Sequence, residues 1–158
     1  MCDDGTEEAP TAPSITRLNP ADIVLFLRAM RLARTAQRVR SSPIPDVVEL
    51  ISRRGGGGGD HPVRRVEQAT KRGIVRWHRW FGGIDSCLTR SLVLGGLLAG
   101  RGEVALNIGF RPGEDEPALD GHAWVTIDGH PVGADGGLAK ERYTRVLTVP
   151  FLRASGEE

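Results

Sequence analysis

The sequence predicts an α+β fold, with helices first and an antiparallel sheet second. Apolar residues recur at helical spacing as far as about residue 99. From Val104 the period changes to alternation, and Asp128-Gly129 between two apolar runs gives a hairpin signal. The chain has 158 residues, of which 39% are hydrophobic. That suffices for one compact core with a helical appendage, but not for two enzymatic domains.

Residues 1–17 mix Asp, Glu, Thr, Pro and Ser with almost no large apolar side chains, so they read as a disordered tail. A helical region follows over 18–54. Asn19 and Pro20 provide an N-cap and a first-turn proline, and Ile23, Phe26, Leu27 and Met30 mark one helical face running to about Val39. The stretch from Ser41 to Pro45 breaks this helix, and a short one is expected over Asp46–Arg53. Residues 55–60 form a glycine-rich linker. It lacks the Gly-Lys-Ser/Thr ending of a phosphate loop.

The remaining core, 61–153, opens with a helix from Pro62 to about Trp80, stopped by Gly82-Gly83. A more apolar helix starts at Ser86 or Cys87 and stops at Gly100 or Gly102; its Gly95-Gly96 pair implies close packing against another element. Strands are expected over Val104–Phe110, His122–Ile127, His130–Gly133 and Tyr143–Phe151, with 111–120 as a loop.

The formal charge of +1 hides an uneven distribution. Cations from Arg28 to Arg79 crowd the first half, which suits either an acidic partner or simply a solvated arginine-rich surface. The opening MCDDGTEEAP has no basic region followed by an apolar one, so no secretory signal is expected, and the longest apolar run, around Ser91 to Ala99, is too short to cross a bilayer. These features predict a cytoplasmic, reducing setting, no disulfide between Cys2 and Cys87, and no membrane partner. His61, His78, His122 and His130 show no paired ligand spacing, so no metal or other cofactor is expected.

Cys87 stands at the start of an apolar helix, where unpaired backbone N–H groups and the helix dipole favour a thiolate nucleophile. His122 opens the strand-like His-Ala-Trp-Val-Thr-Ile run, which can hold an imidazole rigidly. Asp135, just past the hairpin, can fix the ring's tautomer. Taken singly, each has an ordinary structural role: a buried small hydrophobe, a satisfied histidine, a turn residue. Their joint order points to cysteine-based acyl chemistry. The Cys87 backbone N–H supplies one oxyanion donor, and the Trp80 indole is a candidate second donor beside its reading as a core aromatic.

The runs Ser86-Cys87-Leu88-Thr89-Arg90-Ser91-Leu92-Val93-Leu94, Asn107-Ile108-Gly109-Phe110 and Gly121-His122-Ala123-Trp124-Val125, followed by Asp128-Gly129 and Pro131-Val132, resemble the transglutaminase-like cysteine peptidases of lasso-peptide maturation. The resemblance covers roughly residues 75–150. It implies a transglutaminase-like or papain-like core, in which the cysteine helix packs on an antiparallel sheet. It also implies a split-form leader peptidase that works on a precursor peptide with a small leader-recognition protein and a lasso cyclase. By position, Cys87 would be the nucleophile, His122 the general base and acid, and Asp135 the orienting carboxylate. Asp128 ranks behind Asp135 because a hairpin tip points away from its own strand. Thr126 departs from the family pattern, which commonly has an acidic residue there.

Three other readings stand beside this one. A transglutaminase-like acyltransferase would use the same residues with an amine acceptor. A non-catalytic basic adaptor would dock the leader or a nucleic acid through the arginines and the Trp77-His78-Arg79-Trp80 cluster, although nucleic acid is not the partner expected. A docking platform would keep the fold without turnover.

Overall fold

The computed structural model describes residues 19–56, 59–83, 86–113, 118–133 and 136–153. Asn19 caps the first helix through its side chain, which accepts from Ala21 N, and Pro20 begins α1 (Pro20–Arg38). The break expected over Ser41–Pro45 ends sooner, since α2 (Ile44–Gly55) begins at Ile44 behind N-cap Pro43 and takes Pro45 into its first turn. A long amphipathic helix, α3 (Val63–Phe81), ends at Gly82 in a left-handed conformation that only glycine adopts without strain. After a short connection comes α4 (Cys87–Leu98), whose N-cap Ser86 accepts from Thr89 N.

The sheet is built from β1 (Val104–Pro112), β2 (Leu119–Ile127), β3 (His130–Val132) and β4 (Thr144–Pro150), with a short α5 (Gly136–Arg142) before the last strand. Strand order is β3-β2-β1-β4, and all pairs are antiparallel. This is the α+β architecture read from the sequence. The segment 111–120 is shorter as a loop than expected, because β1 and β2 extend into both its ends and pair Arg111 with Asp120.

The helix α4 sits at the centre, packed by α1, α2 and α3 on one side and by β1 and β2 on the other. Val93, Leu97 and Leu98 have no exposed surface, and each contributes about 1.5–3 kcal/mol by leaving water. The double glycine makes this packing possible. A Cβ on Gly95 would enter the Phe151 ring; one on Gly96 would lie 2.6 Å from Ile51 Cγ2. Gly55, expected in the linker, is instead the last residue of α2 and lies against the Gly96 backbone. Residues of α1 and α2 thus share one core with the sheet, while residues 57–58 of the glycine run, and the tail 1–17, lie outside the described residues.

A polar node ties three strands together. Fully buried Asn107 donates through Nδ2 to Thr126 Oγ1 at 3.0 Å and accepts at Oδ1 from Thr148 Oγ1 at 3.0 Å. Thr126, the departure noted in the sequence, is therefore a buried acceptor where a charge would lack compensation. Among the described residues, no helix is long and apolar enough to cross a membrane.

Two identical substitutions should give opposite results. Gly96→Ala overpacks the α2–α4 contact and is expected to cost about 1–3 kcal/mol. Gly137→Ala, with open space around it in α5, should be neutral or stabilise by up to about 1 kcal/mol. Urea midpoints of the two variants check this, and equal midpoints would contradict the packing described.

Candidate active site

The start of α4 is fixed by its cap. Ser86 is extended, its Oγ accepts from Thr89 N at 3.2 Å, and its carbonyl accepts from Arg90 N. Cys87 is therefore the first helical residue, and its backbone N–H is one of the helix-start donors without an intrahelical partner. One turn later, on the same face, buried Ser91 donates from Oγ to the carbonyl of Ala123 at 3.0 Å. That bond fastens the first turns of α4 to β2 beside His122. Cys87 is a free, partly buried thiol.

Cys87 and His122 line one cavity of about 520 Å³. Four consecutive β2 residues, His122 to Val125, contribute to it. Since successive strand residues point to opposite faces, the cavity must lie at the strand's edge. The pairing fits this placement: among the described residues, β3 pairs with β2 over Val125–Ile127, and none pairs on that side with the stretch carrying His122. The opposite wall comes from α3, through Glu67, Thr70 and Lys71, and Arg90 of α4 also lines it. Val132 and Gly133 also line it.

The His122 ring lies against two aromatic rings, Tyr143 at 5.1 Å between centroids and Trp124 at 6.4 Å, both nearly parallel to it. Tyr143 is itself held. Its hydroxyl donates to Asp120 Oδ2 at 3.0 Å, Arg111 donates to the same oxygen from Nε at 2.8 Å, and the guanidinium carbon sits 4.9 Å from the Tyr143 ring centroid. The Arg111 hydrogen bond, then that of Tyr143, holds the Asp120 carboxyl below its usual range. Desolvation and the bond to Asp120 push the Tyr143 hydroxyl up, and the neighbouring Cys87 adds to that rise.

The residues expected from sequence fare differently. Cys87 and His122 come together on one cavity, whereas Asp135 lies outside the described residues, two positions past cavity-lining Gly133. Asp128 occupies the hairpin at the other end of β2 from His122, where its Oδ1 accepts from Glu103 N at 2.9 Å, so its carboxylate is engaged elsewhere. Trp80 is neither a core aromatic nor a cavity residue: it is 59% exposed, with Arg76 over its ring. Sequence reasoning missed Arg111, Asp120 and Tyr143. The available signal was the opposite charge at the two ends of the loop, equidistant from its centre.

Residues 23–148 match the family model of the transglutaminase-like superfamily, well over half of the chain, and the chain belongs to that family. The superfamily includes cysteine peptidases and acyltransferases. No curated protein and no solved structure compared with the chain matches it.

The Asp120 cluster has a pH signature. A carboxyl whose folded value is depressed adds stability above its unfolded value of about 3.9, and that contribution disappears as pH falls through the lower folded value. Wild type should therefore exceed Asp120→Asn in urea midpoint at pH 6, with the gap narrowing as pH falls below the unfolded value of about 3.9. A gap independent of pH would contradict the assignment.

Proposed function

We propose that this chain is a cysteine peptidase that cleaves the leader from a ribosomally synthesised lasso-peptide precursor. It would act with a leader-recognition protein and a cyclase in a reducing, cytoplasmic setting. The observation that carries the chemistry is the shared cavity: a thiol at the first position of a buried helix and an imidazole on the adjacent strand open onto one space. The leader specificity rests on the Cys-Leu-x-Arg-Ser-Leu and His-Ala-Trp-Val runs and their resemblance to lasso-peptide leader peptidases.

In this mechanism His122 takes the Cys87 proton, and the sulfur attacks the scissile carbonyl. The developing oxyanion faces the Cys87 backbone N–H. His122 returns the proton to the departing amine, which becomes the amino terminus of the core peptide, and the leader stays behind as a thioester. Water then attacks the thioester, gives its proton to His122, and releases the leader as a carboxylic acid. Asp135 is the proposed carboxylate partner of His122, and the Tyr143 ring, anchored through Asp120, restrains the imidazole face. The runner-up chemistry, acyl transfer, differs only in the acceptor at the second step.

Incubation with the precursor peptide and its recognition protein, followed by mass spectrometry, should show leader release by wild type and none by Cys87→Ala. His122→Ala should lower the rate by about 10²–10⁴-fold. Leader release by Cys87→Ala at the wild-type rate would end the proposal, and an amine adduct on the leader in place of the free acid would favour the acyltransferase.

A further inference from the structure

A second concavity lies away from Cys87, between α1 and α3. It encloses about 400 Å³ and is lined by Arg34, Gln37, Arg38, Trp77 and Phe81. Its floor is apolar. Trp77 packs partly into the core, and Phe81 stacks on it at 4.1 Å while remaining 61% exposed. Folding alone gives no reason to leave Phe81 and neighbouring Trp80 in water. On the rim, Arg34 and Arg38 are exposed, and neither has a carboxylate partner among the described residues. The wider surface has the same sign: α1 and α3 carry Arg28, Arg31, Arg64, Arg65, Lys71, Arg72, Arg76 and Arg79 against only Asp22 and Glu67. An apolar floor under two exposed guanidinium groups with no carboxylate partner among the described residues suits an acidic segment bearing one large apolar side chain.

The aromatic geometry favours a peptide over a nucleic acid. Base stacking needs free ring faces. Here Trp77 and Phe81 each give one face to the other, and Arg76 occupies one face of Trp80 at 4.8 Å from its centroid, which leaves fewer faces for bases. What remains open suits the insertion of a side chain. Position along the chain supplies the link to the cavity at Cys87. Phe81 ends α3 and Cys87 begins α4, so the six intervening peptide steps span at most about 22 Å. A peptide of about six extended residues covers the same reach.

We infer that the Arg34–Arg38–Trp77–Phe81 groove is a docking site for an acidic, apolar-bearing segment of the substrate's leader, held within about six residues of the bond presented to Cys87. The identity of the occupant rests on the peptidase reading; the groove's preference for acidic peptide does not.

The test uses the full chain carrying Cys87→Ala, so that no probe is turned over. Fluorescence anisotropy would follow a fluorescein-labelled peptide with one phenylalanine flanked by glutamates, its lysine counterpart, and a single-stranded oligothymidine. The acidic peptide should bind saturably, and the lysine peptide should not. The double variant Arg34→Glu/Arg38→Glu should lose at least tenfold in affinity. Phe81→Ala, which removes an exposed ring, should also weaken binding, with circular dichroism unchanged in both variants. Unchanged affinity in both variants, or an oligothymidine bound as tightly as the acidic peptide, overturns the inference. With otherwise wild-type Cys87, the arginine pair should raise KM for the precursor and leave kcat unaltered. Peptide binding that responds to these variants in a chain that never cleaves precursor would count against the peptidase reading alone and leave the groove standing.

Discussion

The hydrogen bond from Ser91 Oγ to the Ala123 carbonyl is the contact on which the geometry of the site turns. It joins the first turns of a buried helix to the strand that carries His122, one residue away. Because both partners are buried, breaking it would leave a carbonyl without compensation, at a cost of about 1–3 kcal/mol. The thiol and the imidazole are therefore held by the core of the protein, not by loops that could drift apart.

The rest of the fold serves that junction. Gly95 and Gly96 let α2 and the Phe151 ring close on α4, which fixes the helix axis. The Asn107 node locks β2, β1 and β4 in register, so that His122 stands opposite Gly109. Among the described residues, β3 pairs with β2 only over Val125–Ile127, next to the part of β2 that lines the cavity.

Much of this was legible in the residues, for physical reasons. Ser86 and Cys87 before an apolar run marked the helix start to within one residue, and the structure makes Ser86 the cap and Cys87 the first helical residue. Asp128-Gly129 fixed the hairpin, because few pairs adopt its backbone, and Asp128 indeed has a positive φ. The Gly95-Gly96 pair foretold close packing, although not its partners. What escaped was set by tertiary context. The helix α5 is short and opens with Gly136-Gly137, which reads as a turn. Gly55 looked like linker because its contact with Gly96 spans forty residues of sequence. Arg111, Asp120 and Tyr143 were hidden because a loop rich in Pro, Gly and acids masks the pairing at its ends, and because Tyr143 reaches His122 only through the return of β4 beside β1.

The most direct measurement of the Cys87–His122 relationship is the rate at which iodoacetamide alkylates Cys87 at neutral pH, followed by mass spectrometry in wild type and in His122→Ala. If the imidazole activates the sulfur, its removal should slow alkylation at least tenfold while the fold, by circular dichroism, stays intact. Equal rates in the two folded proteins would mean that the imidazole does not act on the thiol, and the account of this cavity as a catalytic centre would fail.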